Sequence, residues 1–217
     1  MKVQAAGKIR IIGGAWRGRA LAVPADGAVR PTSDRAREAV FNRLTHSFAG
    51  RGFRLVGAHV ADVCAGTGAF GFEALSRGAA HAVLIERDPA VAATLKRSVA
   101  ALGAEDRATI IVADATAPPP APEPCDLILI DPPFDAEMTG PALSALAKRG
   151  WFKPGALAVV ESETGRPPTV PTGFTLLDQR RYGRITFSFY AAENLPAGAS
   201  LNGRASAATS GSDEADD

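Results

Sequence analysis

The chain is poor in cysteine, in histidine and in long apolar runs, and each shortage excludes a class of protein. Its two cysteines, Cys64 and Cys125, are too few for a disulfide framework and have no histidine or cysteine neighbour at metal-ligand spacing. No run approaches the ~20 apolar residues that a membrane helix needs, and the opening MKVQAAGKIR lacks a signal-peptide core. Hydrophobic residues still make up 46% of the 217, enough to bury a core. We expect a cytoplasmic monomer that holds no metal and binds no membrane.

The net charge of +1 conceals a strong asymmetry along the chain. Residues 1–54 carry a net charge of +8, residues 55–190 a net charge of −3, and residues 191–217 a net charge of −4. We therefore expect a basic N-terminal unit at 1–54, a main domain at 55–190 and a disordered acidic tail at 191–217. The basic unit favours a polyanion partner, while a solvated basic face without a partner is the alternative.

The N-terminal unit has the pattern of a hairpin followed by a helix. The run IRIIGGAWRGRALAVP (9–24) predicts two short strands around its central glycine pair. Apolar residues then recur at helical spacing, and either Thr32 or Ser33 is placed to cap the helix. We expect this helix to show Arg35 and Arg37 on its exposed side.

Beyond residue 58, short apolar runs alternate with helical patterns. Strands that are apolar throughout and separated by helices indicate a parallel sheet covered on both faces, an α/β fold. Two alternating runs within 174–190 predict a terminal antiparallel hairpin, and the proline-rich 117–124 predicts a connector without a helix. The predicted strands of the main domain are 59–64, 81–86, 108–113, 126–131 and 156–162, and its predicted helices are 70–78, 89–103 and 136–150.

The run DVCAGTGAFG (62–71) joins a predicted strand to a predicted helix through closely spaced glycines. Glycines let the backbone approach a ligand, and the amides of the following helix point at it. With Glu86 ending the next strand, the pattern matches the fingerprint of a nucleoside-containing cofactor. We assign this cofactor site to Asp62, Gly66, Gly68, Glu86 and Asp114.

The residues around the turn favour S-adenosylmethionine over a dinucleotide. A carboxylate at Asp62 is awkward beside a pyrophosphate but useful near an ammonium group, and bulky phenylalanines leave little room for two phosphates. Glu86 would then accept hydrogen bonds from the ribose hydroxyls, and Asp114 one from the adenine amino group. Both acids could instead cap helices at the strand ends.

The run DLILIDPPF (126–134) places Asp131, Pro132 and Phe134 at the carboxyl end of a buried strand, the edge at which open α/β sheets bind ligands. Consecutive prolines fix the backbone and remove two donors, which leaves the Asp131 carboxylate and the Pro132 carbonyl as rigid acceptors. Two acceptors on the N–H bonds of an exocyclic amino group aim its lone pair at an electrophilic methyl group, while Phe134 stacks on the base.

Taken together, five motifs resemble those of the RsmD-type small-subunit ribosomal RNA guanine-N2 methyltransferases, class I enzymes that use S-adenosylmethionine. The resemblance spans about residues 9–190 and rests on RIIGGAWRGRAL, RPTSDRAREAVFNRL, DVCAGTGAFGFEALSRGA, IERD and DPPF. It implies a Rossmann-like sheet of seven strands, one of them antiparallel. It also implies methylation of a guanine N2 in 16S ribosomal RNA within an assembling small subunit.

The resemblance further implies that the N-terminal hairpin grips RNA phosphates. The density of arginines there supports this, and such contacts would position the RNA without reading its sequence. The residues expected to contact RNA are Arg10, Arg17, Arg19, Arg30 and Arg35.

Three other functions remain compatible with parts of the pattern. An adenine-N6 methyltransferase acting on DNA or RNA would use the same acceptors. A nicotinamide-dependent oxidoreductase would use the glycine turn but leave DPPF without a purpose. A non-catalytic RNA-binding assembly factor would keep only a vestigial pocket.

Overall fold

The structure, a computed structural model, describes residues 9–24, 32–133, 136–193 and 195. These residues contain one seven-stranded sheet in the order β3-β2-β1-β4-β5-β7-β6, in which β7 is antiparallel to both neighbours and the other pairs are parallel. The strands are β1 His59–Val63, β2 His81–Glu86, β3 Ala108–Val112, β4 Cys125–Ile130, β5 Phe152–Glu163, β6 Phe174–Tyr182 and β7 Ile185–Ala192. The predicted α/β sheet with a terminal hairpin is confirmed.

The described part of the chain also forms four α-helices, which are α1 Asp34–Ser47, α2 Ala69–Ser76, α3 Pro89–Leu102 and α4 Thr139–Lys148, and short 3-10 turns at Ala49–Arg51 and Ala136–Met138. Ser33 caps α1 by accepting the amide of Ala36, and Asp88 caps α3 by accepting the amides of Ala90 and Val91. None of the helices in these ranges is long and apolar enough to cross a membrane.

Helices cover both faces of the sheet because the strands alternate between two apolar clusters. Leu127 and Leu129 face the cluster that includes side chains of α1, α2 and α3, whereas Ile128 and Ile130 face the cluster that includes those of α4. The fully described segment between β3 and β4 forms turns and no helix, as the proline run predicts. Trp151 holds this connecting segment against the sheet by donating its indole N–H to the carbonyl of Pro119 at 2.9 Å.

The N-terminal segment packs on the sheet as part of the first cluster. Ile11 and Phe41 are buried there, and the Phe41 ring lies 6.2 Å from that of Phe70 in α2. The two arms of the hairpin do pair, but through one antiparallel bridge between Arg10 and Ala20 instead of two strands. The turn between the arms covers residues 13–18 and is longer than the two-glycine turn that the sequence predicts. The backbone of Gly13 is held against α2 by hydrogen bonds to the side chains of Glu73 and Ser76.

One expectation about α1 is wrong. Arg35 is exposed, but Arg37 is only 1% exposed and points into the protein. Its guanidinium donates to the carboxylate of Asp34 at 3.0 Å and to the carbonyls of Arg10 and Thr32. Burial lowers the pKa of Arg37, with Asp34 opposing that effect. Arg37 therefore ties the hairpin to the start of α1.

Candidate functional site

A cavity of about 570 Å³ opens at the carboxyl edge of the parallel strands, where open α/β sheets bind ligands. Its volume lies within the usual range for small-molecule sites. Because of the strand order, residues that follow β1, β2 and β3 line one half, and residues that follow or end β4 and β5 line the other. We call these the glycine-turn half and the acceptor half.

The glycine turn connects β1 to α2 through left-handed backbone. Cys64, Gly66 and Gly68 have φ angles of 61°, 53° and 73°. A Cβ at Gly68 would lie 2.5 Å from the Phe72 ring, so both its conformation and its surroundings require glycine. Burial raises the pKa of the Cys64 thiol to about 12, so this side chain lines the cavity as a neutral group.

Glu86 organises the glycine turn from the end of β2. One carboxylate oxygen accepts the amide of Gly66 and the other accepts the amide of Asp88, each at 2.9 Å. Each carboxylate oxygen has two lone pairs, so both can accept a further hydrogen bond from a ligand in the cavity. Glu86 therefore lines the cavity, as predicted, and also holds the backbone of the glycine turn in place.

Asp62 lies beneath the same turn and is only 1% exposed. It accepts the amide of Gly71 at 2.8 Å and still contributes to the cavity wall. Burial raises the pKa of Asp62 to about 7; the Gly71 hydrogen bond opposes this rise, and the charge of Glu86 adds to it. A cationic ligand group above Asp62 would favour its ionised form.

Asp114 marks the far end of the glycine-turn half. Its Oδ1 accepts both the amide and the hydroxyl of Thr116, at 2.7 and 2.6 Å, and these hydrogen bonds lower the pKa of Asp114. Between Asp114 and Glu86 the wall is apolar, formed by Ile85, Val91, Ala113 and Ala115. This combination of an apolar slot with carboxylates at its ends suits a nucleoside.

The acceptor half contains two carboxylates on neighbouring strands. Asp131 follows β4 and Glu161 belongs to β5, one step beyond the register pair Ile130 and Val160. The hydroxyl of Thr32 is 2.7 Å from Glu161 Oε2 and 3.4 Å from Asp131 Oδ2. Burial raises the pKa of Asp131 well above its usual value, and the charges of Glu161 and Asp62 raise it further.

Pro132 and Pro133 also line the acceptor half, as the DPPF motif predicts. Phe134, the expected stacking residue, lies outside the described residues. The structure thus brings Asp131 and Pro132 into the same cavity as Asp62, Gly66, Glu86 and Asp114. Gly68 does not line the cavity itself but caps the first turn of α2 behind it.

The arginines expected to contact RNA divide into two groups. Arg10 and Arg35 are exposed close to the cavity: Arg10 pairs with Asp34 at 3.1 Å, and Arg35 is two residues from Ser33 in the cavity wall. Arg19 instead donates to the carbonyls of Ala101 and Leu102.

Those carbonyls end α3, whose first turn lies at the cavity. At 1.5 Å per residue, Leu102 is about 20 Å along the helix from that turn. Arg17 lies in the same hairpin turn as Arg19, near the far end of α2, and Arg30 lies outside the described residues.

Several cavity residues were not predicted from the sequence to belong to the site. Thr32 was a candidate helix cap, but Ser33 caps α1. The Thr32 hydroxyl instead donates to Glu161 in the acceptor half of the cavity. Glu161 lies within an apolar run, Tyr182 ends β6, and Arg184 lies in the turn of the terminal hairpin. Only the pairing of β5 with β4 and β7 brings these distant segments to one edge of the sheet.

Comparison with known proteins finds relatives that match most of the chain. A family model described as "Conserved hypothetical protein 95" matches residues 9–191. A protein of Escherichia coli K12 named "Ribosomal RNA small subunit methyltransferase D" is 38% identical over 188 residues, which are 86% of this chain and 91% of that protein. Its namesake in Haemophilus influenzae is 34% identical over 190 residues, which are 86% of this chain and 95% of that protein.

Solved structures agree with this assignment. The structure of Escherichia coli yhhF, a proposed methyltransferase, superimposes with a TM-score of 0.73 at 39% identity, covering 86% of this chain and 99% of that one. A more distant RNA methyltransferase from Salinibacter ruber, solved in complex with S-adenosyl-L-homocysteine, has a TM-score of 0.56 at 14% identity. It covers 76% of this chain and 95% of that one, and it shares the fold.

Proposed function

The chain belongs to the RsmD family of methyltransferases, and from this premise we propose that it methylates the exocyclic N2 of a guanine in 16S ribosomal RNA of an assembling small subunit, with S-adenosylmethionine as methyl donor. The observation that carries the proposal is that one cavity holds both a glycine-turn half suited to a nucleoside and the acceptors Asp131 and Pro132. The names of the relatives support ribosomal RNA as the substrate.

The glycine-turn half fits S-adenosylmethionine. Glu86 retains lone pairs for the ribose hydroxyls, and the free Oδ2 of Asp114 can accept the adenine amino group at the end of the apolar slot. Asp62 lies beneath the turn, where a carboxylate would stabilise an ammonium group, while Gly66 and Gly68 shape the loop. When bound, this cofactor supplies a methyl group on an electrophilic sulfonium.

The acceptor half positions the base. The Asp131 carboxylate and the Pro132 carbonyl accept the two N–H bonds of the amino group, which turns its lone pair out of conjugation with the ring. The ionised carboxylate of Asp131, which lies against the amino group, can take the proton that the methylated nitrogen must lose. The Thr32 hydroxyl donates to Glu161 at 2.7 Å and lies 3.4 Å from Asp131, so it holds these two side chains close together. We assign stacking on the base to Phe134, which follows the Pro-Pro pair.

We further propose that Arg10 and Arg35 contact RNA near the target nucleotide, since both are exposed beside the cavity. We keep Arg17 and Arg19 as proposed contacts with more distant parts of the RNA, and Arg30 as a proposed RNA contact. Such contacts add affinity that falls steeply with salt and do not select the base.

The test is tritiated methyl transfer from S-adenosylmethionine to small-subunit particles that lack the modification, followed by nucleoside analysis. We expect N2-methylguanosine with the wild type, none with Asp131→Ala, and a wild-type yield with Asp106→Ala, an exposed control. Methylated adenine would keep the acceptor mechanism and change the substrate. Full transfer by Asp131→Ala would overturn the mechanism, and absence of both cofactor binding and transfer would overturn the enzyme assignment.

A further inference from the structure

The acceptor half of the cavity is bordered by a basic surface at the opposite end of the chain from the N-terminal arginines. Tyr182 ends β6, Arg184 lies in the turn between β6 and β7, and both line the cavity. The turn that follows β5 lies against them, because the Thr164 amide donates to the Arg184 carbonyl at 2.9 Å. Arg166 lies in that turn and lines a small side cavity that shares Asp131 and Pro132 with the main one.

The arginines of this surface are incompletely neutralised. Arg166 and Arg184 both face a single carboxylate, that of Glu163, at 3.6 and 3.7 Å. These distances are long for ion pairs, and the two side chains are 70% and 77% exposed. Arg181, also exposed, donates to the Gly183 carbonyl and adds a further positive charge beside the turn. An exposed pair of this kind is weak and yields readily to a stronger anion.

The location of this surface matters because a base must enter the acceptor half in order to reach Asp131. A nucleobase inside a helix cannot bring its amino group into a cavity, so the target nucleotide must leave its stack. Its flanking phosphates then remain outside, at the cavity rim. Arg184 stands on that rim, whereas Arg19 is at the far end of α3.

We propose that Arg166 and Arg184 bind the backbone phosphates that flank the target nucleotide, so that the RNA is held from both sides of the acceptor half. Arg10 and Arg35 hold it on the side of α1, and the β6–β7 turn holds it on the other. Guanidinium groups suit this role because they bind phosphate oxygens through paired N–H donors. This inference rests on the proposed RNA substrate and assigns a surface that no sequence motif marks.

Tyr182 gives the rim an aromatic wall. Its side chain is half-buried, with its ring centre 6.1 Å from that of Phe187 in β7, so its orientation is fixed from behind. An aromatic ring beside two arginines is the combination that binds unstacked nucleotides, through stacking and phosphate contacts together.

In the absence of RNA, the Glu163 carboxylate occupies the position between the two arginines that we assign to a phosphate. This carboxylate lies 3.6 and 3.7 Å from the guanidinium groups of Arg166 and Arg184 and partly offsets their charge. A phosphate that arrives there has to compete with this carboxylate. Neutralising Glu163 should therefore tighten RNA binding, an effect opposite in sign to that of removing either arginine.

The test compares Arg166→Ala, Arg184→Ala, the double variant and Glu163→Gln with Arg149→Ala. Arg149 is an exposed arginine that follows α4 and lies three residues before the start of β5, at the opposite end of that strand from the cavity. It therefore matches the change in charge at a distance from the acceptor half. Equilibrium binding to the unmodified small-subunit particle is measured across a salt series, and S-adenosylmethionine affinity and thermal midpoint are measured in parallel.

We expect each rim arginine variant to bind the particle about three- to tenfold more weakly at low salt and to reduce the slope of log K against log salt by about 0.7–0.9. Glu163→Gln should bind more tightly, and cofactor affinity should not change in any variant. Equal binding by Arg149→Ala and the rim variants would overturn the inference while leaving the proposed function intact. Absence of methyl transfer by the wild type would overturn the proposed function, and the binding series would still decide the role of the rim.

Discussion

The carboxylate of Glu73 accepts the backbone amide of Gly13 at 2.8 Å, although the two residues are separated by 60 positions in the chain. Its other oxygen accepts the amide of Ile12 at 2.7 Å, and Arg77 completes the arrangement at 2.7 Å. Glu73 is fully buried in α2. The hairpin therefore docks on α2 through its backbone amides, which donate to a buried acid.

We expect Glu73→Ala to destabilise the protein by about 3–5 kcal/mol, because it leaves two backbone amides and a guanidinium without their acceptor. Urea unfolding followed by circular dichroism measures the change. Glu105→Ala, at an exposed position, is the control and should unfold like the wild type. Equal midpoints for the two variants would contradict the docking role of Glu73.

Two glycines of the hairpin turn, Gly14 and Gly18, permit a direct comparison of two positive-φ positions. Gly14 and Gly18 have φ angles of 77° and 83°, but a Cβ at Gly14 would lie 1.9 Å from the Ser76 carbonyl oxygen, whereas one at Gly18 has open space. Gly18→Ala should cost only the backbone strain, about 1 kcal/mol. Gly14→Ala should lower the thermal midpoint considerably more. Similar midpoints would show that the hairpin does not pack against the end of α2 in this way.

Asp62 should make stability fall as the pH rises. Its pKa is raised from 3.8 to about 7 in the folded state, chiefly by burial, so the folded protein binds this proton more tightly than the unfolded chain. The resulting stability is complete below about pH 4 and is lost as the pH rises to about 7. We expect Asp62→Asn to flatten the dependence of unfolding free energy on pH between those limits. A profile parallel to that of the wild type would refute the assignment.

Glu86→Gln should weaken S-adenosylmethionine binding by about 10- to 100-fold, the range expected for losing charge-assisted hydrogen bonds. The amide presents an N–H group toward either Gly66 or Asp88, where the carboxylate accepts both amides. Titration calorimetry measures the affinity, with Glu105→Gln as the control. Unchanged affinity would mean that a ligand does not use this carboxylate.

Arg35 and Arg19 should behave differently although both are exposed arginines of the N-terminal unit. Arg35→Ala removes a charge beside the cavity and should weaken binding to the small-subunit particle. Arg19→Ala removes donors to the last carbonyls of α3 and should mainly lower the thermal midpoint. Binding assays and thermal denaturation of the same two preparations separate the effects, and an equal loss of RNA affinity would contradict the division.

Local sequence patterns determined much of this molecule. Uninterrupted apolar runs predicted the buried parallel strands, and the glycine spacing after β1 predicted the left-handed turn into α2, because both depend on short-range geometry. The Asp131–Pro132–Pro133 run could likewise be placed at the carboxyl edge, since it directly follows an apolar strand. The proline run predicted the helix-free connection to β4 for the same reason.

Only the tertiary structure determined which distant side chains lie next to those motifs. Arg37 has the sequence context of a surface residue, yet it is buried because three oxygens from α1 and the hairpin converge on its guanidinium. Glu161 and Arg184 reach the cavity only through the pairing of β5 with β4 and β7. Sequence periodicity specifies which face of an element is buried, but long-range strand pairing and helix packing specify which distant side chains meet there.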